Sequence, residues 1–150
     1  MKDLKKQLAQ WSLQAGLQLE HQPESGELLI RLPSRLCLNI ELIAEPPSVL
    51  LSSVLGPMPA QGCLELLTEL MAANCRFAGT DGATIGLDTE NDTVVLARQY
   101  DFATLNPDAL GQAVKSFTEV GERLRRTIAD RGLLPKAPFR QPPPPAGMPV

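Results

Sequence analysis

The sequence predicts an α+β domain, α-β-β-β-α-β-β-α, in which three helices pack against a twisted, largely antiparallel sheet. Three observations predict this class. The chain has 150 residues, the size of one domain. Apolar residues recur at helical spacing in three segments and at strand spacing in five. Proline, glycine and polar turns separate these segments. With 43% hydrophobic residues, the chain can bury a core without a metal ion or a disulfide.

The first predicted element is a helix. Leu4, Leu8, Trp11 and Ala15 recur at spacings of four, three and four. Gly16 follows at the position where a helix takes a left-handed cap. We therefore expect a helix of about three to four turns.

Three strands are predicted next, because the apolar period changes to two. Leu28–Leu32 and Leu36–Leu42 alternate on either side of Pro33-Ser34, which predicts an antiparallel hairpin. Glu45-Pro46-Pro47 cannot continue a ladder, since proline lacks the donor N–H. The run from Ser48 to Leu55 is therefore the third strand, entered through a loop.

The second predicted helix is apolar on more than one side. A helix with such a wide apolar surface needs two partners to pack against. The sheet is one of them, and a second subunit is the economical candidate for the other. The apolar residues are Cys63, Leu64, Leu66, Leu67, Leu70 and Met71, between Ala60 and Asn74.

A second hairpin and a third helix complete the predicted domain. Ala83–Asp88 and Thr93–Gln99 flank a polar turn. Asn106 is the predicted N-cap of the last helix, which ends at Gly132. Half of the 14 prolines follow Leu134. We therefore assign residues 1–131 to the α+β domain and 132–150 to a Pro-rich, disordered tail.

The charge balance, the cysteines and the length of the apolar runs predict the class of partner and the compartment of this protein. The chain has 14 Lys and Arg against 17 Asp and Glu, which argues against a nucleic-acid partner. Its three cysteines lack CxxC spacing, which favours a reducing cytoplasm. No apolar run reaches membrane-spanning length, and the amino terminus lacks a signal-peptide core. We therefore expect a soluble cytoplasmic protein with no membrane insertion.

No constellation of residues predicts catalysis, a cofactor or a metal site. His21 is the single histidine, in a predicted surface loop. Cys37 and Cys63 lie among apolar residues. The glycines of 79–86 run from helix into strand, the wrong direction for a phosphate loop. The acidic turn 88–92 lacks the glycine and glutamate of a calcium loop. The chain is therefore not predicted to be an enzyme.

The order of elements and one local stretch carry a family resemblance. Gly82–Leu96 forms a strand, an acidic turn and a strand after a leucine-rich helix that ends in Leu70–Asn74. This pattern resembles the class I type III secretion chaperones, the Tir-chaperone (CesT-like) family, over Leu4 to Arg131. Two features depart from it: Asp92 stands where a glycine is often seen, and the Pro-rich tail is longer than the pattern requires.

The resemblance implies a bacterial, cytoplasmic homodimer without cofactors. Such virulence-associated chaperones bind the N-terminal segment of a secreted effector in extended form. They keep it secretion-competent and deliver it to the export apparatus with its ATPase. The alternative of the same fold is a regulatory adaptor or anti-activator that binds a folded protein.

The resemblance also implies two sets of site residues. The dimer interface falls on the second helix and the fourth predicted strand, and the effector docks on the first helix and the sheet, adding a strand to a sheet edge. Leu67→Asp or Leu70→Asp is expected to convert a dimer to a monomer. The dimer residues are Leu64, Leu67, Leu70, Met71, Ile85 and Leu87, and the effector-binding residues are Leu4, Leu8, Trp11, Leu29, Leu36, Leu38 and Ile40.

The tail contains a second, separate binding motif. Pro142–Pro145 would form a stiff polyproline II stretch beside Phe139 and Arg140, of the kind that docks in an aromatic groove. A disordered terminus with no partner is the competing interpretation.

Overall fold

The computed structural model describes residues 2–133, which form three α-helices and six β-strands. The predicted Pro-rich tail lies outside the described residues from position 134 onward, and so does the side chain of Leu4. In chain order the elements are α1 (Lys2–Gln14), β1 (Leu19–His21), β2 (Leu28–Arg31), β3 (Cys37–Ile43), β4 (Ser48–Pro57), α2 (Cys63–Asn74), β5 (Thr84–Asp88), β6 (Thr93–Asp101) and α3 (Pro107–Leu133).

The predicted α+β class is confirmed, with one strand more than predicted. The six strands form one antiparallel sheet in the order β1-β2-β3-β4-β6-β5. The additional strand is β1, where the sequence predicts a loop. Its three residues are too few to show a period of two, and its pairing with β2 through backbone hydrogen bonds defines it.

One face of the sheet forms the core with all three helices. The register puts Leu28, Ile30, Leu38, Ile40, Leu51 and Leu96 on this face, all fully buried or nearly so. Leu8 of α1, Leu66 of α2 and Val114 of α3 join the same cluster. The central strands are therefore covered by helices on that face, and the two outer strands β1 and β5 form the edges.

The backbone of α3 lies close to the sheet. A Cβ atom on Gly121 would stand 3.0 Å from Cδ2 of Leu36, so a larger residue there would push the helix away. The predicted N-cap is confirmed, since the Ala109 N–H donates to Oδ1 of Asn106 at 2.8 Å. The helix continues through Gly132 to Leu133, because glycine permits a helix end but does not force one.

Within residues 2–133, no helix is both long enough and apolar enough to cross a membrane.

Candidate functional site

The predicted dimer residues divide into an exposed row and a buried row. Leu64 and Met71 of α2 are 76% and 66% exposed, and they share one face of the helix because they lie two turns apart. Leu87 of β5 is 45% exposed. Leu67 is half-buried, whereas Leu70 and Ile85 are buried in the chain's own core. Leu64, Leu67, Met71 and Leu87 form what we call the α2–β5 face.

Two further exposed apolar residues, Phe77 and Val54, were not predicted. Phe77 lies in the turn between α2 and β5 and is 53% exposed, with a φ of 56°. Val54 is 51% exposed, at a bulge in the pairing of β4 with β6. Neither residue belongs to a regular amphipathic pattern, because a tight turn and a bulge interrupt the periods on which such patterns depend.

The turn between α2 and β5 is held by side chains of β6 and α3. Arg98 and Arg123 donate to the backbone oxygens of Asp81 and Gly79. The Ser116 hydroxyl donates to the Asp81 carboxylate. Arg98 also lies over the ring of Tyr100, 4.6 Å from its centroid, and burial raises the pKa of that tyrosine. These contacts fix the start of β5 and therefore the α2–β5 face.

We expect Gly82→Ala to destabilise the fold by about 2 kcal/mol. Gly82 has a φ of 91°, and a Cβ atom there would stand 2.7 Å from Nη1 of Arg98. Urea unfolding monitored by circular dichroism measures the change.

Two glycines provide matched controls for this variant. Gly26→Ala, at a φ of 72° in open space, isolates backbone strain, with an expected loss of about 1 kcal/mol. Gly86→Ala meets nothing within 4 Å and is expected to change stability by less than about 0.5 kcal/mol. Equal effects at Gly82 and Gly26 would show that the contact with Arg98 contributes nothing.

The outer edge of β5 is already occupied by hydrogen bonds from its own chain. The Asn74 amide receives the Ile85 N–H at 2.8 Å and donates to the Ile85 carbonyl at 2.9 Å. The Ala83 N–H donates to Thr80 O at 3.1 Å. Alternate residues of an edge strand direct their backbone N–H and C=O groups outward. Leu87 is therefore the one remaining residue of β5 whose outward backbone groups are not used by these bonds. A strand added here would have to displace Asn74.

The outer edge of β1 is open by comparison. The Gln22 N–H donates to Glu27 O at 2.9 Å, so Glu20 and Leu29 form the next hydrogen-bonded pair of this hairpin. Leu19 and His21 therefore direct their N–H and C=O groups away from β2. An extended segment could pair with β1 at these two residues.

A groove lies between α1 and β1, beside this open edge. Its volume is about 530 Å³, and Leu13, which is 79% exposed, is its most exposed apolar residue. Leu17 and Leu19 are half-buried against the core. We call this the α1–β1 groove, lined by Ala9, Ser12, Leu13, Gly16, Leu17, Gln18 and Leu19.

Most of the predicted effector-binding side chains lie in the core. Among them, only Trp11 is partly exposed within the described residues. Sequence reasoning missed Leu13, although a signal was present: it lies on the opposite side of α1 from the stripe of Leu8 and Trp11. An apolar residue off the core stripe faces solvent unless something covers it. The buried residues are Leu8, Leu29, Leu36, Leu38 and Ile40.

The residues that were candidates for catalysis or metal binding make contacts typical of a structural role. His21 is exposed, and the Cys63 thiol donates to Pro59 O at 2.6 Å. The Asp88 carboxylate accepts from the Asn91 side chain and from the backbone of its own turn, and these bonds hold its pKa below the usual value. Among residues 2–133, no three His, Cys, Asp or Glu side chains are grouped as metal ligands.

The described residues form an α+β domain with one open sheet edge, a groove beside that edge and a second exposed apolar face. The profile of the Tir chaperone protein (CesT) family matches residues 6–125, most of the chain. The protein belongs to this family, which is a family of chaperones. A search of curated protein sequences finds no significant match.

Solved structures with this fold include several protein complexes. The crystal structure of the ExsC-ExsE complex matches with a TM-score of 0.67 at 19% identity, over 85% of this chain and 94% of the other. The HopA1-SchA chaperone-effector complex matches at 0.65 and 17%, over 82% and 93%. The heterodimeric ExoU-SpcU complex from the type III secretion system of Pseudomonas aeruginosa matches at 0.62 and 21%, over 81% and 97%. These similarities confirm the predicted fold.

Proposed function

We propose that this protein is a type III secretion chaperone that binds the N-terminal segment of a secreted effector in extended form. The observation that carries this proposal is the open edge of β1 beside the α1–β1 groove. Membership of the CesT family supports it, and so does the similar fold in the HopA1-SchA complex, which is described as a chaperone-effector complex.

The open edge and the groove provide two complementary sources of binding energy. Backbone groups of Leu19 and His21 would pair with any extended segment, whatever its sequence. Leu13 and Leu17 would take apolar side chains of that segment, which adds selectivity. Ordering an unfolded segment costs about 2–5 kcal/mol, so several apolar contacts must form before binding is tight.

The buried members of the predicted effector-binding set have a different role in this proposal. Leu8 is fully buried in the core and lies four positions before Ser12 of the groove. Leu38 and Ile40 of β3, and Leu36 just before this strand, are likewise buried. They would shape the surface from beneath rather than contact the client. The client contacts would come from Leu13, Leu17 and Leu19.

The proposed active form is a homodimer that forms through the α2–β5 face. Leu64, Met71 and Leu87 would be covered by the second copy, because soluble chains seldom leave such apolar residues grouped and exposed. Leu70 and Ile85 would support this face from the core. Since Asn74 occupies the β5 edge, the two copies would meet through side chains instead of a shared ladder.

Co-purification under mild conditions from the native bacterium tests the function. We expect two copies of the chain with one secreted protein, held through an N-terminal segment that proteases cut readily when the chaperone is absent. Native mass spectrometry gives the ratio, and limited proteolysis locates the segment. The secretion ATPase is expected to bind this complex more tightly than the free dimer.

The regulatory adaptor is the alternative outcome of the same experiment. A partner that is folded, resists proteolysis throughout and binds DNA or another regulator would establish the adaptor and overturn the chaperone proposal.

A further inference from the structure

The two edges of the sheet differ in what bonds their outward backbone groups. At β1, the hydrogen bonds within residues 2–133 leave the outward N–H and C=O groups of Leu19 and His21 open. At β5, the outward N–H and C=O groups of Ile85 both bond the side chain of Asn74. One edge of the sheet can therefore accept a strand, whereas a side chain occupies the other.

The Asn74 carboxamide bonds Ile85 as a neighbouring strand would. In an antiparallel hydrogen-bonded pair, one residue accepts the N–H of its partner and donates to the carbonyl of the same partner. The Asn74 side chain does both, since Oδ1 accepts the Ile85 N–H at 2.8 Å and Nδ2 donates to the Ile85 carbonyl at 2.9 Å. Only asparagine and glutamine side chains carry a carbonyl and N–H donors on one planar group. Asn74 therefore takes the place of a strand residue.

The end of α2 positions this side chain at the edge. Asn74 is the last residue of α2, and the chain leaves the helix at Cys75. Just before β5, the Ala83 N–H donates to the carbonyl of the buried Thr80 at 3.1 Å. The outward groups of this edge are thus bonded at two successive outward-facing positions, and Leu87 is the next such position along β5.

Exposed apolar side chains flank the same edge. Leu87 is exposed on β5, and Met71 is exposed one helical turn before Asn74. An open strand edge beside apolar side chains is a surface on which chains pair, and proteins protect such edges with charges, prolines or covering groups. In β5, Asp88 is the one charged residue, and its carboxylate is bonded to Asn91 at the far end of the strand. Asn74 is therefore the main protection of this edge.

We propose that Asn74 is a specificity-determining residue that closes the β5 edge to a strand from a second copy of this chain. The closure of β5 needs no client. Its consequence, that an extended client segment is confined to the β1 edge, rests on the proposed function.

Hydrogen exchange of single amides in Asn74→Ala tests this closure. In dilute solution, we expect the Ile85 amide to exchange at least about tenfold faster than in the unmodified chain, because it loses its acceptor. At a concentration about 100-fold higher, mass action favours pairing between copies. The Leu87 amide should then exchange at least about tenfold more slowly in the variant than in the unmodified chain at the same concentration, because a strand of another copy bonds it.

Two matched variants separate an open edge from a general loss of stability. Asn74→Asp also loses the donor to the Ile85 carbonyl, but its charge keeps a second strand away. Asn91→Ala removes a carboxamide that bonds the Asp88 carboxylate at 2.8 Å in the neighbouring turn. We expect the Leu87 amide to exchange in both variants as it does in the unmodified chain. If Asn74→Ala does not fold, Asn74→Ser makes the same comparison, because its shorter side chain cannot reach both groups of Ile85.

Two results would overturn the proposal. Equal Leu87 exchange in Asn74→Ala and in the unmodified chain at high concentration would show that the edge stays closed without the carboxamide. Equal slowing in Asn74→Ala and Asn74→Asp would show that the copies associate through lost stability rather than through an open edge. Neither result involves a client, so the chaperone function is tested separately by the co-purification experiment.

Discussion

The double variant Leu64→Asp/Met71→Asp is expected to be monomeric at concentrations where the unmodified protein is a dimer. Both side chains are exposed in the single chain, so the fold should survive their replacement. In the dimer, each aspartate would place a charge in an apolar contact. A loss of about 2 kcal/mol at each position is typical of central interface residues, so the two substitutions together raise the dissociation constant about 1,000-fold. Sedimentation equilibrium measures that constant.

Leu13→Asp is the matched control for this experiment. Leu13 is 79% exposed and Leu64 76%, so the two substitutions have nearly the same cost in the isolated chain. We expect Leu13→Asp to leave the dissociation constant unchanged. A double variant that still sediments as a dimer would contradict the proposed interface.

Leu70→Asp, which the sequence alone predicts to separate the subunits, tests stability instead. Leu70 is 3% exposed and belongs to the core cluster, so an aspartate there would be a buried, unpaired charge. We expect this variant to unfold rather than to give a folded monomer. Leu67 is half-buried, so its exposure lies between that of Leu64 and that of Leu70.

The second large effect is expected on client binding. Leu13→Asp should weaken binding of the client's N-terminal segment about 30-fold, because a charge replaces the most exposed apolar residue of the α1–β1 groove. Isothermal titration with a peptide of that segment, identified by the co-purification experiment, measures the change. Circular dichroism should show the same unfolding midpoint for both proteins, since Leu13 contributes little to the core.

The reciprocal control is the single variant Leu64→Asp, which has the same chemistry on a different surface. It should bind the peptide with an affinity within about threefold of the unmodified chain, once measured per folded subunit. If Leu13→Asp binds as tightly as the unmodified protein, the α1–β1 groove is not the client site.

Long periodic elements could be predicted from the sequence, and short ones could not. The hairpin of β2 and β3 and the amphipathic α3 each repeat an apolar pattern over several residues, so tertiary contacts reinforced a strong local preference. Strand β1 has three residues and one apolar side chain that meets the core. Its pairing with β2 is a tertiary effect, which local periodicity does not contain.

The site was predicted less well because periodicity identifies buried faces. Leu36, Leu38 and Ile40 repeat at intervals of two, and all three are buried as a result. Leu13 interrupts the pattern of α1 and is exposed. The wide apolar surface of α2 gave a better indication, since a helix with more apolar residues than its core can cover leaves some of them, such as Leu64 and Met71, on the outside.

Hydrogen exchange on the complex with the client segment tests the central claim most directly. We expect the amides of Leu19 and His21 to exchange at least about tenfold more slowly when the segment is bound, because a strand added to β1 would bond them. The Leu87 amide, on the opposite edge of the sheet, should be unaffected when the segment is added to the preformed dimer. Protection confined to β5 and α2, or none at β1, would contradict extended binding along the β1 edge.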